Sequence, residues 1–258
     1  MSATSRTRPA VAAPTGETGG SSEPFPEHAT NQLIRWGGVS GVAGFAALLC
    51  SFVVVGSLGL PDASDVETLT DFADIESGRI AEHFLYLGAL MFFALNLVVL
   101  YRLLRASHLA AALFGTVVAS FGYAIMAAGS LLHVSTSPLS ELYTAADATP
   151  EDLRAIEYAW HGAQSVFDTL LTTGVLLVPI GIVLFGVAMW QAPTVRRGLV
   201  FLTLGLGLVG TVGAVIAVVE PGSLFAAASV LAMAMFHLAI GVWMLRSGGK
   251  TATTRLVP

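Results

Sequence analysis

The chain has 258 residues, of which 55% are hydrophobic and only 11% are charged, and its formal net charge is −5. A soluble domain typically has about 25% charged residues, so this composition excludes an ordinary soluble protein and indicates an integral membrane protein. The single cysteine, Cys50, excludes an internal disulfide and a cysteine cluster for a metal.

Six long apolar runs organise the chain. Residues 1–30, rich in Ser, Thr, Pro, Gly and Ala, are predicted to be a disordered tail. Each later run approaches or exceeds the roughly 20 residues that cross hydrocarbon, and lipid leaves the backbone no partner outside a helix. The predicted spans are 36–60, 80–104, 109–132, 163–190, 199–219 and 224–245. The predicted fold is therefore an all-α, polytopic membrane helix bundle over residues 31–246, followed by a tail at 247–258.

Positive residues are concentrated on one side of these spans. That side contains Arg6, Arg8, Arg35, Arg102, Arg105, Arg196, Arg197, Arg246, Lys250 and Arg255. Arg79 and Arg154 fall on the other side, and both are interpreted as anchors of helix ends or partners of acidic loop residues. Because positive residues mark the cytoplasmic side, both termini are predicted to be cytoplasmic in a plasma-membrane protein.

Two outer loops contain helix-start signals. In "DASDVETLTDFADIES", Ser64 and Glu67 have capping-box spacing, which predicts a short surface helix. In "DATPEDL", Thr149 is a predicted cap and Pro150 the first helical residue. A helix from Pro150 to Trp190 would be about 60 Å long, which exceeds the bilayer. Its first turns are therefore expected to project outside, or the helix to bend.

The fourth span carries a polar stripe. At 100° per residue its polar side chains fall on one strip about 100° wide. They are Glu157, His161, Gln164, Ser165, Asp168 and Thr172. The stripe is expected to face protein or trapped water, since lipid would leave it unpaired.

Asp168 has no Lys or Arg at its expected depth, so it is expected to carry a proton. Its candidate partners are Ser120 and Tyr123 in the third span and His237 in the sixth. Two interpretations stay open: an interhelical hydrogen bond that fixes packing, or a carboxyl that carries protons or binds a ligand.

Three histidines lie near the outer boundary. His83 opens the second span, His133 closes the third and His161 opens the fourth, so antiparallel geometry places them at one level. Imidazoles suit zinc or another first-row metal, and a pair on facing helices suits a haem b iron. Interfacial histidines also commonly contact headgroups and water. All three roles stay open.

The layout resembles the six-span bacterial and archaeal membrane proteins classified as domains of unknown function. The likeness rests on "GRIAEHFLYLGALMFFALNLVVLYRLLR", the basic turn "PTVRRG" and the polar fourth span, and covers about residues 31–246. It implies a fold and a membrane location. The chain is also similar to six-span b-type cytochromes, with His83 and His161 as one haem pair, but the fifth span lacks a histidine for a second pair.

Three functional hypotheses follow. The preferred one is an outward-facing polar cavity that binds or transports a small molecule or ion, with Asp168 and His161 handling protons. The second is a metal- or haem-dependent redox protein, and the third is a structural or regulatory subunit. Whether the chain is an enzyme stays open. The lipid bilayer is the expected partner, a homodimer is an open alternative, and nucleic acid is not expected because no basic aromatic surface is present.

Overall fold

The computed structural model describes residues 27–59, 69–220 and 223–247. Within these ranges the chain forms helices and no strands. The helices are α1 (Glu27–Leu58), α2 (Leu69–Asp74), α3 (Glu76–Leu104), α4 (Leu109–Ser135), α5 (Ser137–Tyr143), α6 (Pro150–Trp190), α7 (Arg197–Val219) and α8 (Phe225–Ser247). Most of the C-terminal tail at 247–258, most of the N-terminal tail and the capping box at Ser64 and Glu67 lie outside the described residues.

Six of these helices are long and apolar enough to cross a membrane, which confirms the predicted all-α six-span bundle. They form a ring in chain order: α1 packs on α3, α3 on α4, α4 on α6, α6 on α7 and α7 on α8, and α8 closes the ring on α1. Gly38 near the start of α1 lies beside Gly241 near the end of α8. The first span therefore begins, and the last span ends, on the same face of the bundle. We call it the inner face and the opposite face the outer face.

Glycines let neighbouring helices touch backbone to backbone. A Cβ added to Gly41 of α1 would lie 2.6 Å from the carbonyl oxygen of His237 in α8. One added to Gly174 of α6 would lie 2.7 Å from the carbonyl oxygen of Gly122 in α4. Close approach of this kind is the usual use of small residues between membrane helices.

Large apolar side chains cover both the inside and the outside of the ring. Phe93, Phe185 and Phe236 are fully buried in the core, whereas Met91 and Phe121, at similar heights, are more than half exposed. A soluble bundle would present polar residues at such exposed positions on the outside of the ring. The exposed apolar belt is therefore the surface that contacts the lipid bilayer.

Helix α6 extends well beyond its neighbours on the outer face. The Ser229 hydroxyl of α8 donates to the Val175 carbonyl at 3.3 Å, which places the first residue of α8 level with about residue 171 of α6. Gly210 of α7 packs on Pro179, so α7 ends at about the same level. Some 20 residues of α6, or roughly 30 Å of helix, therefore rise above α7 and α8.

A small second core surrounds this projecting segment. α6 begins with the predicted cap: the Thr149 side chain accepts from the Asp152 amide, and Asp152 accepts from the Thr149 amide. The short helices α2 and α5 pack beside it, burying Leu69, Phe72 and Trp160 completely. We call α2, α5 and residues 150–168 of α6 the outer cap.

Candidate functional site

The polar groups with the most unusual surroundings lie under the outer cap. They project from the first turns of α3 and the last two turns of α4: Arg79, Glu82, His83, Ser130 and His133. Arg79 is only 3% exposed and His83 only 6%. We call these five residues the outer cluster.

Arg79 is a buried cation without a hydrogen bond. None of its three guanidinium nitrogens has a hydrogen-bond partner within the described part of the chain. Its guanidinium carbon lies 4.4 Å from the ring centroid of Phe72 and 5.8 Å from that of Trp160, both in the outer cap. Cation–π contacts stabilise by up to about 2 kcal/mol when desolvated, but burial of an ion costs several kcal/mol. Its charge is therefore balanced by aromatic contacts and nearby carboxyl groups rather than by hydrogen bonds among the described residues.

His83 and His133 form a hydrogen-bonded pair beside Arg79. His83 Nε2 lies 3.1 Å from His133 Nδ1, and His83 Nδ1 lies 2.9 Å from the Ser130 hydroxyl. The other ring nitrogen of His133, Nε2, is buried and has no hydrogen-bond partner among the described residues. Trp160 contacts both the His133 ring and the Arg79 guanidinium, so these two unpartnered groups share one neighbour.

Glu82 lies beside His83, at the end of the hydrogen-bonded pair opposite to His133 Nε2. Its Oε1 accepts from the Ser51 hydroxyl of α1 at 2.8 Å, and its Oε2 lies 3.4 Å from His83 Nδ1. Two proton arrangements satisfy the imidazole pair. Either each imidazole carries its hydrogen on Nδ1, so that His133 Nε2 is an acceptor, or each carries it on Nε2, so that His133 Nε2 is a donor. A proton can therefore be handed along the pair.

The polar stripe is partly exposed on α6. His161, Ser165 and Asp168 are exposed on the outside of α6, and Glu157, Gln164 and Thr172 are half-buried. Most of the stripe lies in the outer cap, because α7 and α8 end near the level of residue 170 and leave that side of α6 uncovered. Among the described residues, three of the six stripe side chains are therefore exposed on this side of α6.

The stripe's polar contacts are also local. Asp168 accepts a hydrogen bond from Gln164 Nε2 of the same helix at 3.0 Å. Glu157 accepts from the Tyr143 hydroxyl of α5 at 3.4 Å. A direct role of these residues in ligand binding stays a prediction.

Tyr123 and His237, the expected partners of Asp168, instead bond to each other in the bundle core. The Tyr123 hydroxyl pairs with His237 Nε2, and His237 Nδ1 lies 2.8 Å from Asn96 Oδ1. Asn96 Nδ2 donates to the Gly37 carbonyl at 2.8 Å, so Oδ1 is the acceptor and His237 carries its hydrogen on Nδ1. Every member is satisfied, which makes this network a cross-link between α1, α3, α4 and α8.

The structure brings two of the three candidate metal-ligating histidines together. His83 and His133 are paired, whereas His161 is exposed on α6. Zinc sites use at least three protein ligands, and no group of three His, Cys, Asp or Glu suited to a metal occurs within the described ranges. The resemblance to b-type cytochromes pairs His83 with His161, but His83 is hydrogen-bonded to His133 and His161 is exposed on α6.

Sequence reasoning missed Arg79. It was interpreted as a helix anchor or a partner of loop acids; Glu82 and Glu76 lie close enough to interact with its charge, and the loop acids at 62, 65 and 67 lie outside the described residues. The available signal was the pair Phe72 and Trp160, whose rings lie in the outer loop and the projecting part of α6.

Residues 37–248 match a family described as Domain of unknown function (DUF4386). No curated protein matches the chain, and no solved structure matches it.

Proposed function

Since the chain belongs to the DUF4386 domain-of-unknown-function family, we propose its function from the outer cluster. The protein is proposed to be an integral membrane protein that binds a small anionic molecule from the outer side. The observation that supports this most directly is the buried Arg79 guanidinium, whose three nitrogens have no hydrogen-bond partner among the described residues.

An anion fits the chemistry of the outer cluster. A guanidinium presents five N–H donors in a planar fork that matches a carboxylate or phosphate. His133 Nε2 can add a donor, and Phe72, Phe167 and Trp160 supply apolar surface next to these groups. A small carboxylate or phosphate ester with an apolar part is therefore the ligand class that the cluster favours.

Binding is proposed to be linked to a proton. An anion at Arg79 favours the arrangement in which His133 Nε2 donates, and it also favours an additional proton on the imidazole pair. Glu82, beside His83, is the acceptor or source of that proton at the other end. Under this scheme anion affinity rises as pH falls, which is the dependence that proton-linked transport would require.

The orientation and location of the protein are also proposals. The inner face carries Arg35, Arg102, Arg105, Arg196, Arg197 and Arg246, against Arg79 and Arg154 on the outer side. This asymmetry supports cytoplasmic termini in a plasma membrane. The outer cluster would then face the exterior of the cell.

The test is a thermal-shift series on the purified protein in mild detergent. Acetate, succinate and inorganic phosphate are the probes, and succinamide is the uncharged match for succinate. At least one anion is expected to raise the unfolding temperature, whereas succinamide has no effect. Arg79→Met should abolish the shift, and the exposed control Arg154→Gln should keep it.

Two results would overturn the proposal. One is an equal shift in the wild type and in Arg79→Met, because the anion would then bind elsewhere. The other is the absence of a shift with every anion at both neutral and acidic pH.

A further inference from the structure

A second candidate site lies at the inner face, remote from the outer cluster. The inner halves of α7 and α8 enclose an open groove of about 820 Å³. Leu202 and Leu206 form the α7 wall, and Leu238 and Trp243 belong to the α8 wall. From Leu199 to Leu206 the groove follows about 10 Å of helix into the apolar belt.

The mouth of the groove is basic. Arg196 precedes the first residue of α7, and Arg246 lies in the last turn of α8, so the two arginines flank the same opening. Both side chains are exposed, and the hydroxyl residues Thr194 and Ser247 line the opening beside them. Two positive charges therefore lie at the mouth of an apolar groove.

We propose that this groove binds an anionic phospholipid of the inner leaflet. The arginines match a phosphate headgroup, and the leucine and tryptophan walls match an acyl chain. The groove opens toward the lipid along its side, since Leu202 is 46% exposed and Met235 is 40% exposed. A lipid can therefore enter sideways from the bilayer, whereas a soluble phosphate would leave the apolar walls unused.

This inference does not depend on the outer cluster. The groove and its arginines lie at the inner face, opposite to the outer cluster, so either proposal can fail alone. A smaller groove of about 330 Å³ between α1 and α3 is flanked by Arg102 and Arg105, and the assay must therefore report on the α7–α8 groove specifically.

Trp243 supplies that local reporter. The protein is placed in phosphatidylcholine nanodiscs that contain a minor fraction of phosphatidylglycerol, with brominated acyl chains on one lipid or the other. The signal is the difference in fluorescence quenching between the wild type and Trp243→Phe, which removes the contributions of the other tryptophans.

The expected result is stronger quenching of Trp243 by brominated phosphatidylglycerol than by brominated phosphatidylcholine at equal fractions. Arg196→Gln or Arg246→Gln should each reduce this preference roughly fivefold, and the double variant should nearly remove it. The matched control is Arg35→Gln, which removes an exposed inner-face charge outside the groove. It should leave the preference intact.

Three outcomes would overturn the inference. Equal quenching by both lipids identifies ordinary bilayer contact. A preference that survives in the double variant places the anion elsewhere. No quenching by either lipid, together with a cross-linked dimer, shows that a second copy of the chain covers the groove.

Discussion

Arg79 combines two properties that a protein rarely keeps together, namely burial and unpaired donors. Buried polar groups nearly always find a partner, and the exceptions commonly mark functional positions. The neighbouring His133 Nε2 is a second such exception within the same cluster. The network of Tyr123, His237 and Asn96 is the contrasting case, because its hydrogen bonds are complete and indicate packing alone.

Arg79→Met is expected to stabilise the ligand-free protein. The substitution replaces a desolvated cation that has no hydrogen bond with an apolar side chain of similar length, and it removes a burial cost of several kcal/mol. The measurement is the unfolding temperature in detergent without added anions. Arg154→Met, at an exposed position of α6, should change stability by less than about 0.5 kcal/mol. A lower unfolding temperature for Arg79→Met would instead give Arg79 a structural role through its two aromatic contacts.

At the residue scale, the sequence predicts which side chains lie close together better than it predicts which side chains are buried. Antiparallel spans predict that His83 and His133 lie at one level, and they do form a pair. The local sequence does not show that Arg79 is buried, because its burial also requires Trp160, which belongs to the distant helix α6. Burial here depends on tertiary contacts of the outer cap.

Helix α6 shows how far element-level reasoning extends. Thr149 and Pro150 predict its start, and the apolar run predicts its end near Trp190; the structure has one continuous helix between them. The periodicity also identifies the polar stripe correctly as one face. Which way that face points depends on where α7 and α8 end, and helical periodicity within α6 carries no information about that.

Two glycines of α6 give a matched test of its packing. Gly174→Ala is expected to destabilise the bundle by about 1–3 kcal/mol, because the new Cβ would lie 2.7 Å from the Gly122 carbonyl oxygen, which is backbone and cannot move aside. Gly162→Ala meets nothing within 4 Å and should gain up to about 1 kcal/mol of helix propensity. Thermal unfolding in detergent measures both. Equal effects of the two substitutions would contradict the close α4–α6 contact.

At the scale of the whole molecule, the ring of six helices follows the order of the chain. Short inner turns at 105–108 and 191–196 make consecutive spans antiparallel neighbours, so hydropathy and loop length together predict most of this arrangement. The closure of the ring by α1 and α8 is the non-local step. It depends on Gly38, Gly41 and Gly241 meeting across the full length of the sequence.

The charge asymmetry between the two faces predicts the orientation of the ring in the membrane. In a Cys50→Ala background, Asp147→Cys in the outer loop should react with a membrane-impermeant maleimide on intact cells. Ala106→Cys, in the exposed turn between α3 and α4, should react only after the cells are permeabilised. Both positions are exposed, so a difference in labelling reports the side of the membrane rather than burial. The reverse pattern would place the arginine-rich face outside and would require the outer cluster to bind its anion from the cytoplasm.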